Sequence, residues 1–286
     1  MAVFAFFSAF AALFSYFIAP LSAKLSRFLG AIDLPDGVRK LHALPMPKLG
    51  GVGIYASFSV SMALLCLFDA NCLGRFATVL LVGGGASVFV GAADDIFSFD
   101  APKKLSLGGI ISLCAALYMI DASDFAAPSF YIFRVFGNSI FILMLMNAYN
   151  MVDGVDGLCA TLSLVPLIFA AENPAALLLF FSVLGFLPHN LPAEIYLGEA
   201  GAGVLGFLTA SIILWGGTNT GSLAALLPFL TELVGTVLRR TASLRHPFSS
   251  GRGHIHHILL SLGFSTHGIA ALLCITALLA ACAFQI

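Results

Sequence analysis

Long apolar runs recur along almost the whole chain, at roughly residues 2–21, 51–68, 77–93, 105–121, 129–146, 158–171, 175–190, 203–216, 222–238 and 267–285. Each run is continuous, and most approach the ~20 residues that a helix needs to cross a bilayer. That continuity excludes a β-barrel, whose strands alternate between lipid-facing and lumen-facing residues. Apolar residues make up 60% of the 286 and charged residues 9%, against roughly 45–50% and about 25% in soluble domains. A globule of this size has too little interior to hide so much apolar surface. The sequence therefore predicts an all-α, polytopic transmembrane bundle of about ten helices. Ten spans would use roughly 200 residues and leave short connections, so residues 1–286 are expected to form a single integral-membrane domain. The first run has no basic stretch ahead of it and is long enough to span, which predicts a retained helix and not a cleaved signal peptide.

The 13 Lys+Arg against 14 Asp+Glu leave neither a basic surface for nucleic acid nor an acidic tail. Loops following the odd-numbered runs carry Lys24, Arg27, Arg39, Lys40, Lys48, Lys103, Lys104, Arg239, Arg240, Arg245 and Arg252; only Arg75 and Arg134 fall elsewhere. The positive-inside rule makes those loops cytoplasmic and places both termini outside. The same loops hold Asp94 and Asp95, Asp153 and Asp156, Glu199, and the cluster His254, His256, His257. Dense polar chemistry on one face is the pattern of a membrane-embedded enzyme with a cytosolic site. A transporter or flippase for an anionic solute would be expected to place ionisable groups near mid-bilayer in broken helices. Glu232 is the main acid within a run, and Arg239 or Arg240, about two helical turns on, is its expected partner. The six cysteines show no paired spacing, and nearly all sit in apolar runs, where a small buried thiol is expected ahead of a disulfide or metal ligand.

Individual stretches point to phosphate and metal chemistry. Arg39, Lys40 and Lys48 flank an irregular Pro/Gly backbone around His42; they suit headgroup anchoring or phosphate neutralisation. Asp94 and Asp95 are adjacent acids at the unfavourable, negative end of a helix, which needs a cationic partner. Asn147, Asn150, Asp153 and Asp156 recur at spacings of three, a face of oxygen donors suited to a hard cation, Mg2+ before Zn2+. Glu199, in Gly198-Glu199-Ala200-Gly201, reads equally as a metal ligand or as an acid favoured by a helix N-terminus. His254-Ile-His256-His257 invites a zinc reading, but no CxxC or second His cluster completes one. With Arg252, these donors suit pyrophosphate or sugar oxygens better.

Arg39/His42/Pro47/Gly50-Gly51, Gly91–Asp95, Asn147–Leu158, Gly198–Gly203 and the segment from Pro247 to His257 occur in order on alternate loops. Together they resemble the polyprenyl-phosphate N-acetylhexosamine-1-phosphate transferase family (glycosyltransferase 4, the MraY–WecA-like enzymes) over roughly residues 30–260. The His254-Ile-His256-His257 form is similar to the WecA-type branch more than to the MraY branch. The resemblance implies transfer of N-acetylhexosamine 1-phosphate, GlcNAc-1-phosphate foremost, from a UDP-sugar to undecaprenyl phosphate, with release of UMP. It implies Mg2+, with Mn2+ as a substitute, and a bacterial inner-membrane enzyme with cytosolic catalytic loops that begins a lipid-linked envelope polysaccharide such as lipopolysaccharide. A homodimer would be in keeping with the family.

By position, the resemblance makes Asp94, Asp95, Asp153 and Asp156 catalytic, with Asp94 and Asp95 beside the lipid phosphate and one of them the general base. Asn150, Asp156 and Glu199 would hold the metal. Arg39, His42, Lys48, Lys104, Asn147, Asn150, Arg252, His254, His256 and His257 would bind substrates. Three positions depart from the family pattern: Glu199 stands where an Asp is usual, Ser249-Ser250-Gly251 where Ser-Pro-Asp is usual, and Ile258 where an Arg often follows. They make the chain a divergent member with altered preference, or a weakened paralogue; restoring Glu199→Asp is expected to hold or raise Mg2+-dependent turnover.

Overall fold

The computed structural model describes residues 2–35, 44–68, 74–121, 123, 127–217, 219–242 and 254–285. Within them every expected apolar run is helical. The helices are α1 (Ala2–Leu29), α2 (Gly50–Phe68), α3 (Arg75–Thr78), α4 (Gly84–Phe97), α5 (Ala101–Met119), α6 (Pro128–Val152), α7 (Leu158–Phe169), α8 (Pro174–Asn190), α9 (Gly198–Trp215), α10 (Thr220–Ala224), α11 (Leu227–Ala242), α12 (Ile255–Ser261) and α13 (Thr266–Ala283). A π turn over Val79–Gly83 joins α3 to α4 as one helix. The Leu81 carbonyl in that turn accepts the Tyr55 hydroxyl. Seven helices are long and apolar enough to cross a membrane, counting Arg75–Phe97 and Thr220–Ala242 as one each, and α7 and α8 are shorter apolar helices.

Local chemistry sets the helix starts. Asp100, Asn173, Asn219 and Ser265 each accept a backbone N–H of the first turn that follows, and prolines open α5, α6 and α8. Ser98, in the left-handed conformation at φ 52°, ends α4. Several large apolar side chains point outward, Phe28 at 86% and Phe89 and Phe133 at 76% exposure. With lipid as the solvent this is the expected outer surface.

Helix α9 occupies the middle of the bundle, with 72% of its span buried, and packs against α2, α4 and α6. Lipid tails are as apolar as leucine, so close approach of small residues takes over from hydrophobic drive. Gly51 and Gly201 meet so tightly that a Cβ on Gly51 would lie 2.1 Å from the Gly201 Cα. Two runs extend further than their apolar composition predicts: Asp94 and Asp95 fall inside the last turns of α4, and Asn147 and Asn150 inside those of α6. As a result the C-terminal ends of α4 and α6, the start of α9 and the approach to α2 converge at one end of the bundle.

Candidate active site

The approach to α2 is tied down on both sides. A two-residue antiparallel pairing sets β1 (Ile32–Asp33) against β2 (Met46–Pro47), and the Lys48 amide donates to the Ala31 carbonyl (3.1 Å) and to Ser26 Oγ (2.8 Å). Toward α9, Tyr196 N–H donates to the Pro47 carbonyl at 2.8 Å, and Gly50 and Gly51 donate to the Tyr196 and Leu197 carbonyls at 3.0 Å. From this frame Lys48 Nζ reaches Asp95 Oδ1 at 3.0 Å. The same carboxylate receives the first amides of α9, Glu199 N on Oδ1 (3.2 Å) and Ala200 N on Oδ2 (3.1 Å). Gly198 makes room for it: its φ is +73°, and a Cβ there would lie 1.9 Å from the Lys48 carbonyl oxygen. The Asp95 side chain is fully buried. Burial pulls Lys48 toward its neutral form, but Asp95, with Asp33 and Glu199 behind it, holds it above its ordinary value.

Asp94 takes a different direction. Its Oδ1 accepts the Phe99 amide at 2.6 Å and its Oδ2 meets Lys104 Nζ at 2.6 Å. The same ammonium lies 2.8 Å from Glu199 Oε1, so one cation bridges the third and seventh loops. The two adjacent acids are thus divided: Asp94 lines a small cavity with Lys104, Asn147, Asn150 and Glu199, while both Asp95 oxygens are occupied by Lys48 and α9.

A larger cavity of about 300 Å3 adjoins the first and shares Asn150 and Glu199 with it. Its wall also includes Lys48, Asp153, Asp156 and His257. The expected continuous helical face of four oxygen donors is broken, because α6 ends at Val152 and Asp153 and Asp156 stand on the turn beyond it. Asn147 and Asn150 sit on the helix, so the donors are spread over both cavities. Asp153 is half-buried and lines the larger cavity. Burial, and then the negative charges of Glu199, Asp95 and Asp156, push its carboxyl up to about 8, with Lys48 opposing. The Tyr196 hydroxyl hydrogen-bonds Asp156, and burial followed by that acid raises the phenol well above its usual value.

The histidines divide as well. His257 lines the larger cavity. His256 is only 2% exposed and packs on Gly154, where a Cβ would lie 2.3 Å from its Nε2. Burial, with His257 and His254 alongside, pushes it down to about 4, so it is neutral at physiological pH. His254 Nδ1 lies 2.7 Å from Glu232 Oε1. Glu232 therefore has a nearer partner than the arginines expected for it: Arg239 is 3.8 Å away. An acid so engaged is not the loose mid-bilayer carboxylate of a transport path.

A divalent cation fits this chemistry. The donors around the cavities are hard oxygens, and the walls carry Asp33, Asp94, Asp153, Asp156 and Glu199 against the two lysines Lys48 and Lys104. Among the described residues no three His, Cys, Asp or Glu side chains form a metal cage by themselves. Mg2+ commonly takes one or two carboxylates and completes its shell with water and phosphate oxygens. Arg39, His42 and Arg252, expected to bind substrate, lie outside the described residues. Reading the sequence missed Asp33, Asn190 and Tyr196 in the larger cavity's wall. Tyr196, two residues before the Gly198-Glu199 pair, was within reach of a closer look; Asn190 closes an apolar run and donates to the Ile195 carbonyl at 2.9 Å.

Comparison with known proteins agrees with this architecture. The pattern of Glycosyl transferase family 4 matches residues 77–217. An undecaprenyl-phosphate alpha-N-acetylglucosaminyl 1-phosphate transferase from Thermotoga maritima is 31% identical, covering 86% of this chain and 79% of its own length. Proteins of the same name from Escherichia coli K12 and Yersinia pestis are each 27% identical, over 95% and 94% of this chain and 79% and 80% of theirs. On these matches, and on the described parts of five polar segments gathered at one end of a helical membrane bundle, the chain belongs to glycosyl transferase family 4.

Proposed function

We propose that the protein transfers N-acetylglucosamine 1-phosphate from UDP-N-acetylglucosamine to undecaprenyl phosphate at the cytosolic face of a bacterial inner membrane, releasing UMP. The observation that carries this reading is the paired arrangement Lys48–Asp95 and Asp94–Lys104–Glu199 beside a cavity walled by Asp153 and Asp156. Both substrates are anions, so the barrier is governed by positioning and by neutralising charge.

An oxygen of the lipid phosphate attacks the sugar-linked phosphorus, and the bond from that phosphorus to the UMP oxygen breaks, with UMP departing as an anion. Asp94, which faces the smaller cavity, is placed to take any proton the lipid phosphate still carries, and Lys104 beside it to meet the phosphate's charge. Asp95 acts through Lys48 and the start of α9, as a positioning residue. Asn150, Asp156 and Glu199 would hold Mg2+, which when bound supplies positive charge to the diphosphate. Asp153 shares the donor wall, and His257 is placed to contact the nucleotide sugar. The eleven basic residues on alternate loops support a cytosolic site with both termini outside.

The test is UMP release from UDP-N-acetylglucosamine by purified protein supplied with undecaprenyl phosphate, with Mg2+ and with EDTA, across a panel of UDP-sugars. UMP formation that needs both the lipid phosphate and the divalent ion is the expected result. Its absence with every sugar would refute the assignment.

A further inference from the structure

Glu232 lies in the second turn of α11 and is 3% exposed. A buried carboxylate costs several kcal/mol unless its oxygens are satisfied, and here they are satisfied mostly from outside its own helix. Oε1 accepts Thr236 Oγ1 at 2.8 Å and His254 Nδ1 at 2.7 Å; Oε2 accepts the Ile255 amide at 2.8 Å. That amide is the first of α12, and the His254 side chain does not cap its own helix. The start of the histidine helix is thus held from a different helix, by Glu232. With an ionised acid as acceptor, His254 Nδ1 must carry the hydrogen, which fixes the ring's orientation and leaves Nε2 as the other ring atom.

From there the contacts lead into the cavity wall. The His254 and His256 rings are parallel, 1° apart in plane, with centroids 5.4 Å apart; His256 and His257 are 4.4 Å apart. His256 rests on Gly154, between Asp153 and Asp156, and His257 lines the cavity. Seven residues are too few to hold a helix in place unaided.

We propose that Glu232 is a positioning residue that clamps α12 and so sets His257 and the Asp153–Asp156 turn for nucleotide-sugar binding. The binding part rests on the function proposed above; the clamp itself does not.

The experiment compares wild-type protein with Glu232→Gln, which keeps shape but places an amide N–H against donors. Hydrogen exchange over residues 255–261 is expected to quicken about tenfold or more, an effect independent of catalysis. KM for UDP-N-acetylglucosamine is expected to rise about tenfold with kcat within about threefold. Combined with His257→Ala, Glu232→Gln should add almost nothing to the KM of His257→Ala alone. Unchanged exchange, an unchanged KM, or fully multiplicative effects in the double variant would each overturn the clamp. Should Glu232→Gln fail to fold, Gly154→Ala, which crowds His256 from the other side, must reproduce the KM rise; a normal KM there overturns the proposal. If wild-type protein turns over no nucleotide sugar, the assigned reaction fails, and the exchange rates still decide the role of Glu232.

Discussion

Replacing Asp153 by Asn should change how stability depends on pH, and the size follows from the site. The Asp153 carboxyl is pushed up to about 8 by burial and neighbouring acids, while in the unfolded chain it returns to an ordinary value near 4. Between roughly pH 4 and pH 8 the folded protein holds a proton that the unfolded chain has lost, so stability falls as pH rises through that window. About four pKa units at 1.36 kcal/mol each set a ceiling of roughly 5 kcal/mol. The side chain still meets water through the cavity, which brings the expected cost at pH 8 to about 2–3 kcal/mol. For a chain of this length that is about 3–5 °C in melting temperature. Asn has no proton to lose and nearly the same shape, so Asp153→Asn should melt close to wild type at pH 5 and about 3–5 °C higher at pH 8, in EDTA. His256, pushed down to about 4, makes stability rise with pH between about 4 and 6.5, but it does so in both proteins and cancels. Thermal melting of detergent-solubilised protein from pH 5 to pH 8.5 is the assay. Parallel curves for the two proteins would refute the claim that burial and neighbouring acids hold the Asp153 carboxyl protonated in the folded protein.

Lys104→Met removes the ammonium lying 2.6 Å from Asp94 and 2.8 Å from Glu199; turnover should fall about 100-fold or more, read as UMP release. Glu199→Asp, expected from sequence to hold or raise turnover, should instead lower it. The shorter side chain draws its oxygen back by about 1.5 Å from a Lys104 now known to lie 2.8 Å away, and Mg2+-dependent rates at several metal concentrations would show the loss. Gly51→Ala would set a Cβ 2.1 Å from the Gly201 Cα; monodisperse protein by size-exclusion should be largely lost, and a normal profile would contradict the packing of α2 on α9.

The helices were legible because lipid imposes one rule, that backbone groups be satisfied within the segment, and apolar runs report it directly. Their ends were less so. The polar tails of α4 and α6 keep their helical hydrogen bonds past the last apolar residue, so Asp94, Asp95, Asn147 and Asn150 sit in helical turns beyond where the apolar runs end. Adjacent acids also look alike in sequence, yet Asp95 turns into the start of α9 and Asp94 into a cavity. That division depends on Gly198, more than a hundred residues away. Glu232 is the clearest case. Spacing along its own helix suggested Arg239 or Arg240, and Arg239 does lie 3.8 Å away, while the nearer partner His254 arrives from a segment that periodicity cannot connect to it.

Both lysines at the site are already engaged by acids before any substrate arrives. An incoming phosphate that turns to Lys48 or Lys104 must therefore trade places with a carboxylate to be held. Each exchange sets an acid free at the moment a divalent ion could use it, so anion and metal should strengthen one another's hold by equal factors. A resting site wired this way discourages stray phosphate, and it reserves its grip for a ligand that brings its own counter-charge.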